Sequence, residues 1–152
     1  MTDTNRRDVL GAAGLVAAAA AAVLGSNEAA AQAPTGRMTV HILDLFSGTP
    51  ANGAKVELFA KTADAMKLVK SVTTGPDGRP TTGPLLQGET FAAGRYIIAF
   101  DLSDYFKGLD KSLPANFFRK VTMEFEVLDA KIPHHIPLQC TPWTQACSVL
   151  PG

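Results

Sequence analysis

The sequence predicts an all-β sandwich. About seven or eight short stretches alternate apolar with polar residues, turn-forming clusters separate them, and only one stretch carries helix chemistry. The alternation is that of half-buried strands, antiparallel in style, rather than the continuous apolar runs of a parallel sheet. A length of 152 residues suits one domain with a real core.

The first 33 residues read as an export signal that precedes this domain. Asn5-Arg6-Arg7-Asp8-Val9-Leu10 is a twin-arginine pattern, Gly11 to Gly25 is an Ala- and Gly-rich, weakly apolar stretch, and Ala31-Gln32-Ala33 is a small-x-small cleavage site. The stretch is too short and too mildly apolar for a membrane-spanning helix. Cleavage after Ala33 leaves 34–152 as the domain, in a periplasmic or secreted setting. Taking Arg6 and Arg7 from the 14 bases, and Asp3, Asp8 and Glu28 from the 14 acids, leaves 12 against 11. That balance argues against a nucleic-acid partner and gives anionic membranes no special attraction.

Met38–Leu45 is the first strand, and it ends in the turn cluster Ser47-Gly48-Thr49-Pro50-Ala51-Asn52-Gly53. Ala54–Ala60 alternates again, with Val56 and Leu58 against Lys55, Glu57 and Phe59; Met66–Thr73 follows, its Leu68 and Val69 set among lysines. Thr74–Pro80 is a long turn in which glycine supplies positive φ and proline withholds a ladder donor. Residues 81–88 look irregular. Arg95–Leu102 is a strand with Tyr96, Ile98 and Phe100 on one face. The short helix spans Asp101–Gly108, where Asp101 or Ser103 caps the start and Gly108 stops it. Lys120–Leu128 points Val121, Met123, Phe125 and Val127 inward and Thr122, Glu124 and Glu126 outward. A final pair of strands covers 133–140 and roughly 145–150.

There are only three histidines. In 133–140 the apolar Ile136, Leu138 and Cys140 share a face with His134, which leaves His135 on the opposite face. In the first strand Val40 and Ile42 face the core, and His41 leans away from them. Two imidazoles on non-core faces are either a general base with its partner or polar residues on a solvated surface. Adjacent strand residues point apart, so His134 and His135 cannot both reach one metal ion, and no Cys/His pair has metal-ligand spacing. Arg79, on the long turn, is either solvated or held where a guanidinium can grip a planar polar ring or a developing oxyanion. Cys140 ends one strand and Cys147 begins the next across a turn-like Thr141–Thr144, so after export the two are expected to form a disulfide.

Several motifs occur together in a fixed order: His41-Ile42-Leu43-Asp44, Gly48-Thr49-Pro50-Ala51, Val56-Glu57-Leu58, Asp77-Gly78-Arg79, Gly94-Arg95-Tyr96, Tyr105-Phe106, Phe117-Phe118, Phe125-Glu126-Val127, His135-Ile136-Pro137-Leu138 and Thr141-Pro142. In this order the chain resembles the transthyretin-like family over about residues 38–143. The resemblance implies a prealbumin-type, eight-stranded antiparallel sandwich with one short helix. It also implies a homotetramer with active sites in a channel between dimers. Bacterial members are mostly 5-hydroxyisourate hydrolases, which open a cyclic amide in urate breakdown without a cofactor. The family's site residues fall on His41, Arg79 and His135, and its first and late strands are neighbours in one sheet. The family's closing Tyr-Arg-Gly-Ser is replaced by Ser148-Val149-Leu150-Pro151-Gly152, and no arginine follows Arg119. Two functions follow as expectations: an exported hydroxyisourate hydrolase, or a non-catalytic exported module that binds a small ligand or a protein.

Overall fold

Strand β1 (Arg37–Asp44) is the centre of the fold, because it forms hydrogen bonds along both edges and buries every second side chain. The computed structural model describes residues 36–109 and 118–151; the export signal expected over 1–33 lies outside them. After β1 come β2 (Thr49–Pro50), β3 (Lys55–Lys61), β4 (Met66–Thr73), β5 (Leu86–Gln87), β6 (Gly94–Asp101), helix α1 (Ser103–Leu109), β7 (Lys120–Val127), β8 (His134–Cys140), β9 (Gln145–Cys147) and β10 (Leu150–Pro151). One sheet runs β10-β8-β1-β2, with β5 also on β1 and β9 on β8; the other runs β4-β3-β6-β7. Between them Met38, Val40, Ile42, Ile136 and Leu138 meet Val56, Leu58, Ile98 and Phe100 in one core. Each such side chain, removed from water, stabilises the fold by roughly 1.5–3 kcal/mol.

The sandwich, with a single α-helix among the described residues, is as the sequence predicts, with local differences. β1 and β8 pair in parallel, Met38 beside His134 through Asp44 beside Cys140, whereas every other strand pair is antiparallel. Antiparallel neighbours can be joined by a hairpin, but these two strands come from opposite ends of the domain and face no such requirement. The irregular stretch 81–88 contains β5, which pairs with the start of β1 through Arg37–Gln87 and Met38–Leu86. Gly108 does not stop the helix, which runs on to Leu109. At its start the Asp101 carboxylate accepts the Ser103 N–H at 3.1 Å, so Asp101 is the cap. β4 is an edge strand with only Val72 buried, and its lysines suit a solvent-facing edge.

The expected disulfide is not formed, and Cys140 and Cys147 are both free. The register explains why: Cys140 stands opposite Gln145 and Cys147 opposite Leu138, so the two thiols are diagonal rather than facing. Diagonal positions are about 7–8 Å apart, beyond ordinary bridging geometry. Burial pushes the thiols up to about 12 for Cys140 and about 11 for Cys147, which keeps both protonated at neutral pH.

Two anchors hold β1. At its C-terminal end the buried Asp44 carboxylate accepts hydrogen bonds from Tyr105 O–H (2.9 Å), Ser47 O–H (2.7 Å) and Phe46 N–H (2.8 Å), which ties α1 to the strand. Burial, reinforced by that carboxylate, pushes the Tyr105 phenol up to about 12. The second anchor is the turn at 74–80. Ile42 N–H donates to the Gly78 carbonyl at 2.9 Å, so the turn occupies the stretch of β1 edge between β2 and β5. Thr74 holds the near end of the turn through its hydroxyl, which donates to the Ala51 carbonyl at 2.6 Å and accepts from Ala54 N–H at 3.0 Å.

Gly78 has φ +72°, and a Cβ there would collide with the Ile42 carbonyl and press on His41 and Pro50. Gly78→Ala is therefore expected to cost about 1–3 kcal/mol, read as a lower urea midpoint at unchanged slope. An unchanged midpoint would mean that the turn can leave β1 freely.

Candidate active site

The parallel register decides which side chains meet. Alternation along β1 sends Thr39 and His41 outward, and Thr39 aligns with His135 and His41 with Pro137 on β8. The two imidazoles thus share one face of the sheet, with ring centroids 6.5 Å apart and planes tilted by 38°. His134 takes no part: its ring packs edge-on against Phe91, and its Nδ1 lies 2.8 Å from the Ile132 carbonyl.

Thr39 orients one of the pair. Its Oγ1 lies 2.9 Å from His135 Nδ1 and 3.4 Å from the His134 carbonyl oxygen. With its single proton directed to that carbonyl, the hydroxyl accepts from Nδ1–H, which leaves the lone pair of His135 on Nε2. Among the described residues, His41 Nε2 is a buried side-chain atom without a hydrogen-bond partner. A buried polar atom left open in this way normally costs free energy.

Arg79 reaches the same place from the turn. Asp77 Oδ1 accepts the Arg79 N–H at 3.0 Å and shapes the bend, and the Gly78–Ile42 bond holds the bend against the strand that carries His41. Both histidines are held below the ordinary value of 6.5. Burial is the larger cause in each and the Arg79 charge the next; for His41, a hydrogen bond to the Asp77 backbone pulls the other way. The structure therefore brings His41, His135 and Arg79 together. Cys140 and Cys147 belong to the core and its margin. Among the described residues no group of three or more His, Cys, Asp or Glu side chains is placed to hold a metal ion.

Thr39 is the functional side chain that the sequence reading misses. Its signal is its position two residues before His41, which puts it on the same strand face. The terminal segment also reaches the site, since β10 lies along β8 with Leu150 opposite His135. It brings an apolar side chain there.

Chemically, the arrangement is a pair of imidazoles biased to the neutral form beside a fixed cation. Such a set can take a proton from water while stabilising charge on an oxygen.

Comparison with known proteins places this geometry in context. The model of the HIUase/Transthyretin family matches residues 38–147. The 5-hydroxyisourate hydrolase 2 of Rhizobium meliloti (strain 1021) is 39% identical over 110 residues, which cover 72% of this chain and 91% of that protein. Among solved structures, an (S)-allantoin synthase superposes with a TM-score of 0.69 at 27% identity, over 79% of this chain and 45% of its own. The transthyretin of Sparus aurata superposes with a TM-score of 0.67 at 24% identity, over 76% of this chain and 97% of its own.

Ring-proton NMR is expected to show His41 and His135 titrating below 6.5, and Arg79→Gln is expected to raise both midpoints by removing a nearby positive charge. In the unfolded chain these rings take up protons below about 6.5, while in the folded chain they resist. Their contribution is therefore intact above that pH and is lost as pH falls towards the lowered values. Midpoints at or above 6.5 in the folded protein would refute the assignment.

Proposed function

The chain belongs to the HIUase/transthyretin family, and we propose that it opens the ring of 5-hydroxyisourate by hydrolysis, with His41, His135 and Arg79 as its working residues. One observation carries the proposal: two imidazoles favoured in the neutral state share one strand face, 6.5 Å apart, beside an arginine. His135 Nε2 takes a proton from water as the water oxygen attacks the cyclic carbonyl carbon. His41, on the same face with its ring 6.5 Å from that of His135, helps to orient that water. Arg79 donates to the oxygen on which negative charge develops. Collapse of the tetrahedral intermediate breaks the ring C–N bond, and the proton held on imidazole passes to the departing nitrogen. The new C–O bond remains in a carboxylate.

The reading extends to export and assembly. The twin-arginine leader would deliver the domain to the periplasm, and the outward imidazole face would line a channel in a homotetramer. Protein recovered from a periplasmic fraction is expected to begin at Pro34 and to scatter light as a tetramer at micromolar concentration. A chain retained in the cytoplasm, or a monomer, would refute the corresponding part.

A second reading is a small-ligand binding module without turnover. It is favoured by Leu150, which stands opposite His135 and offers no polar group. Freshly prepared 5-hydroxyisourate separates the two readings. It is expected to decay faster with this protein than in buffer, but more slowly than with a family member ending in Tyr-Arg-Gly-Ser. His41→Asn and His135→Asn are each expected to remove that excess. Arg79→Gln is expected to lower the rate on the order of 10²–10³-fold, as for loss of an oxyanion donor. The acid limb of the pH profile is expected to fall below 6.5, the ordinary histidine value. Decay no faster than in buffer, with ligand binding retained, would leave the binding module standing.

A further inference from the structure

We propose that Arg37 is a second cation of this site and that, together with Arg79, it forms an anion subsite for a ring-borne carboxylate. The proposal rests on the hydrolase reading for the identity of its natural ligand, but not for its geometry. Arg37, Thr39 and His41 alternate along β1 and lie on the same outward face, each roughly 6.6 Å beyond the last at the usual strand rise. Beside this row is a cavity of about 290 Å³ lined by Arg37, Thr39, Asp77, Arg79, Pro80 and Pro84, among others. The imidazoles do not line it. It adjoins them through Thr39, whose hydroxyl is 2.9 Å from His135, and through Arg79, whose charge acts on both rings.

The charge balance of the cavity points to its occupant. Among the described residues, every ion pair within 4.0 Å involves other cations, so neither Arg37 nor Arg79 is matched to a carboxylate. Asp77 is the cavity's acidic side chain, and its Oδ1 accepts the Arg79 backbone N–H. Two cations facing one small space against a single acid leave a net positive site, which an incoming anion would neutralise. A guanidinium is a planar fork that fits a carboxylate with paired N–H···O bonds. Hydrolytic ring opening makes such a group, since water supplies the new C–O bond, the C–N bond breaks, and the carbonyl becomes a carboxylate. On the far side of His135, β10 contributes Leu150, so that side brings no competing charge. Arg79 therefore serves the reacting carbonyl, and Arg37 joins it on the carboxylate that this carbonyl becomes.

Orotate, a planar ring carboxylate, and uracil, the same ring without the carboxylate, are suitable probes for titration calorimetry. Orotate is expected to bind the wild-type protein and to bind Arg37→Gln at least about tenfold more weakly, the scale of a lost charge-assisted bond. Arg37→Lys, which keeps the charge but not the fork, should fall between them, and uracil should be indifferent to all three. Arg37 is exposed and pairs with Gln87 through the backbone, so neither substitution disturbs the ladder. Equal orotate affinity in wild type and Arg37→Gln, no orotate binding by the wild type at millimolar concentration, or an equal loss for uracil would each overturn the proposal. None of these readouts requires turnover. Orotate binding that depends on Arg37 without ring-opening activity would sink the hydrolase reading and keep the subsite. Hydrolysis with an unchanged KM in Arg37→Gln, and unchanged orotate affinity, would do the reverse.

Discussion

The 2.9 Å hydrogen bond from Ile42 N–H to the Gly78 carbonyl is the contact on which the site depends. Residues of β1 have two edges to satisfy. β8 fills one along its length, while β2 and β5 fill only the two ends of the other. An open N–H between them would be costly in a half-buried strand. The turn supplies the missing acceptor, and in doing so carries Arg79 to the face where His41 stands. Gly78 is required because any side chain would occupy the space of the Ile42 carbonyl. A backbone requirement of the sheet thereby becomes the device that positions a charged side chain.

Electrostatics follows from that placement. A histidine on a strand face open to water would titrate near its ordinary value. Here burial first, and then a neighbouring guanidinium, oppose a positive charge on the rings, so the residue proposed to stabilise the reacting oxygen also helps to bias them to the neutral form. The cation thus has two effects that agree: it favours the basic form of the imidazoles, and it favours negative charge on the substrate. At the C-terminal end of the strand, Asp44 is buried but takes three donors, from Tyr105, Ser47 and Phe46, and so keeps β1 fixed beneath the site.

Much of this was legible in the sequence because strands write their faces in a period of two. His41 between Val40 and Ile42, and His135 before Ile136, declare their outward direction without any structure. The turn glycine and Arg79 were also visible as a unit. Register was not. Nothing local tells that Thr39 rather than His41 lies beside His135, so the bond that fixes the His135 tautomer had no sequence signal beyond alternation. The same blindness misplaced Cys140 against Cys147, where an offset of two residues turns facing partners into diagonal ones. β5 escaped notice because two residues are too few to show a period, and Arg37 because a basic residue at a strand start is ordinary until a cavity is seen beside it.

The parallel pairing of β1 with β8 has a consequence for how the protein comes into being. Thr39 and His135 touch although they are 96 residues apart in the chain. Contacts of such long range close large loops and form late in folding. On the ribosome, β1 emerges first and must wait with one edge unpaired until β8 has been synthesised. No shortened chain that stops before β8 can hold the two imidazoles together, so the imidazole pair is among the last parts of the domain to be assembled.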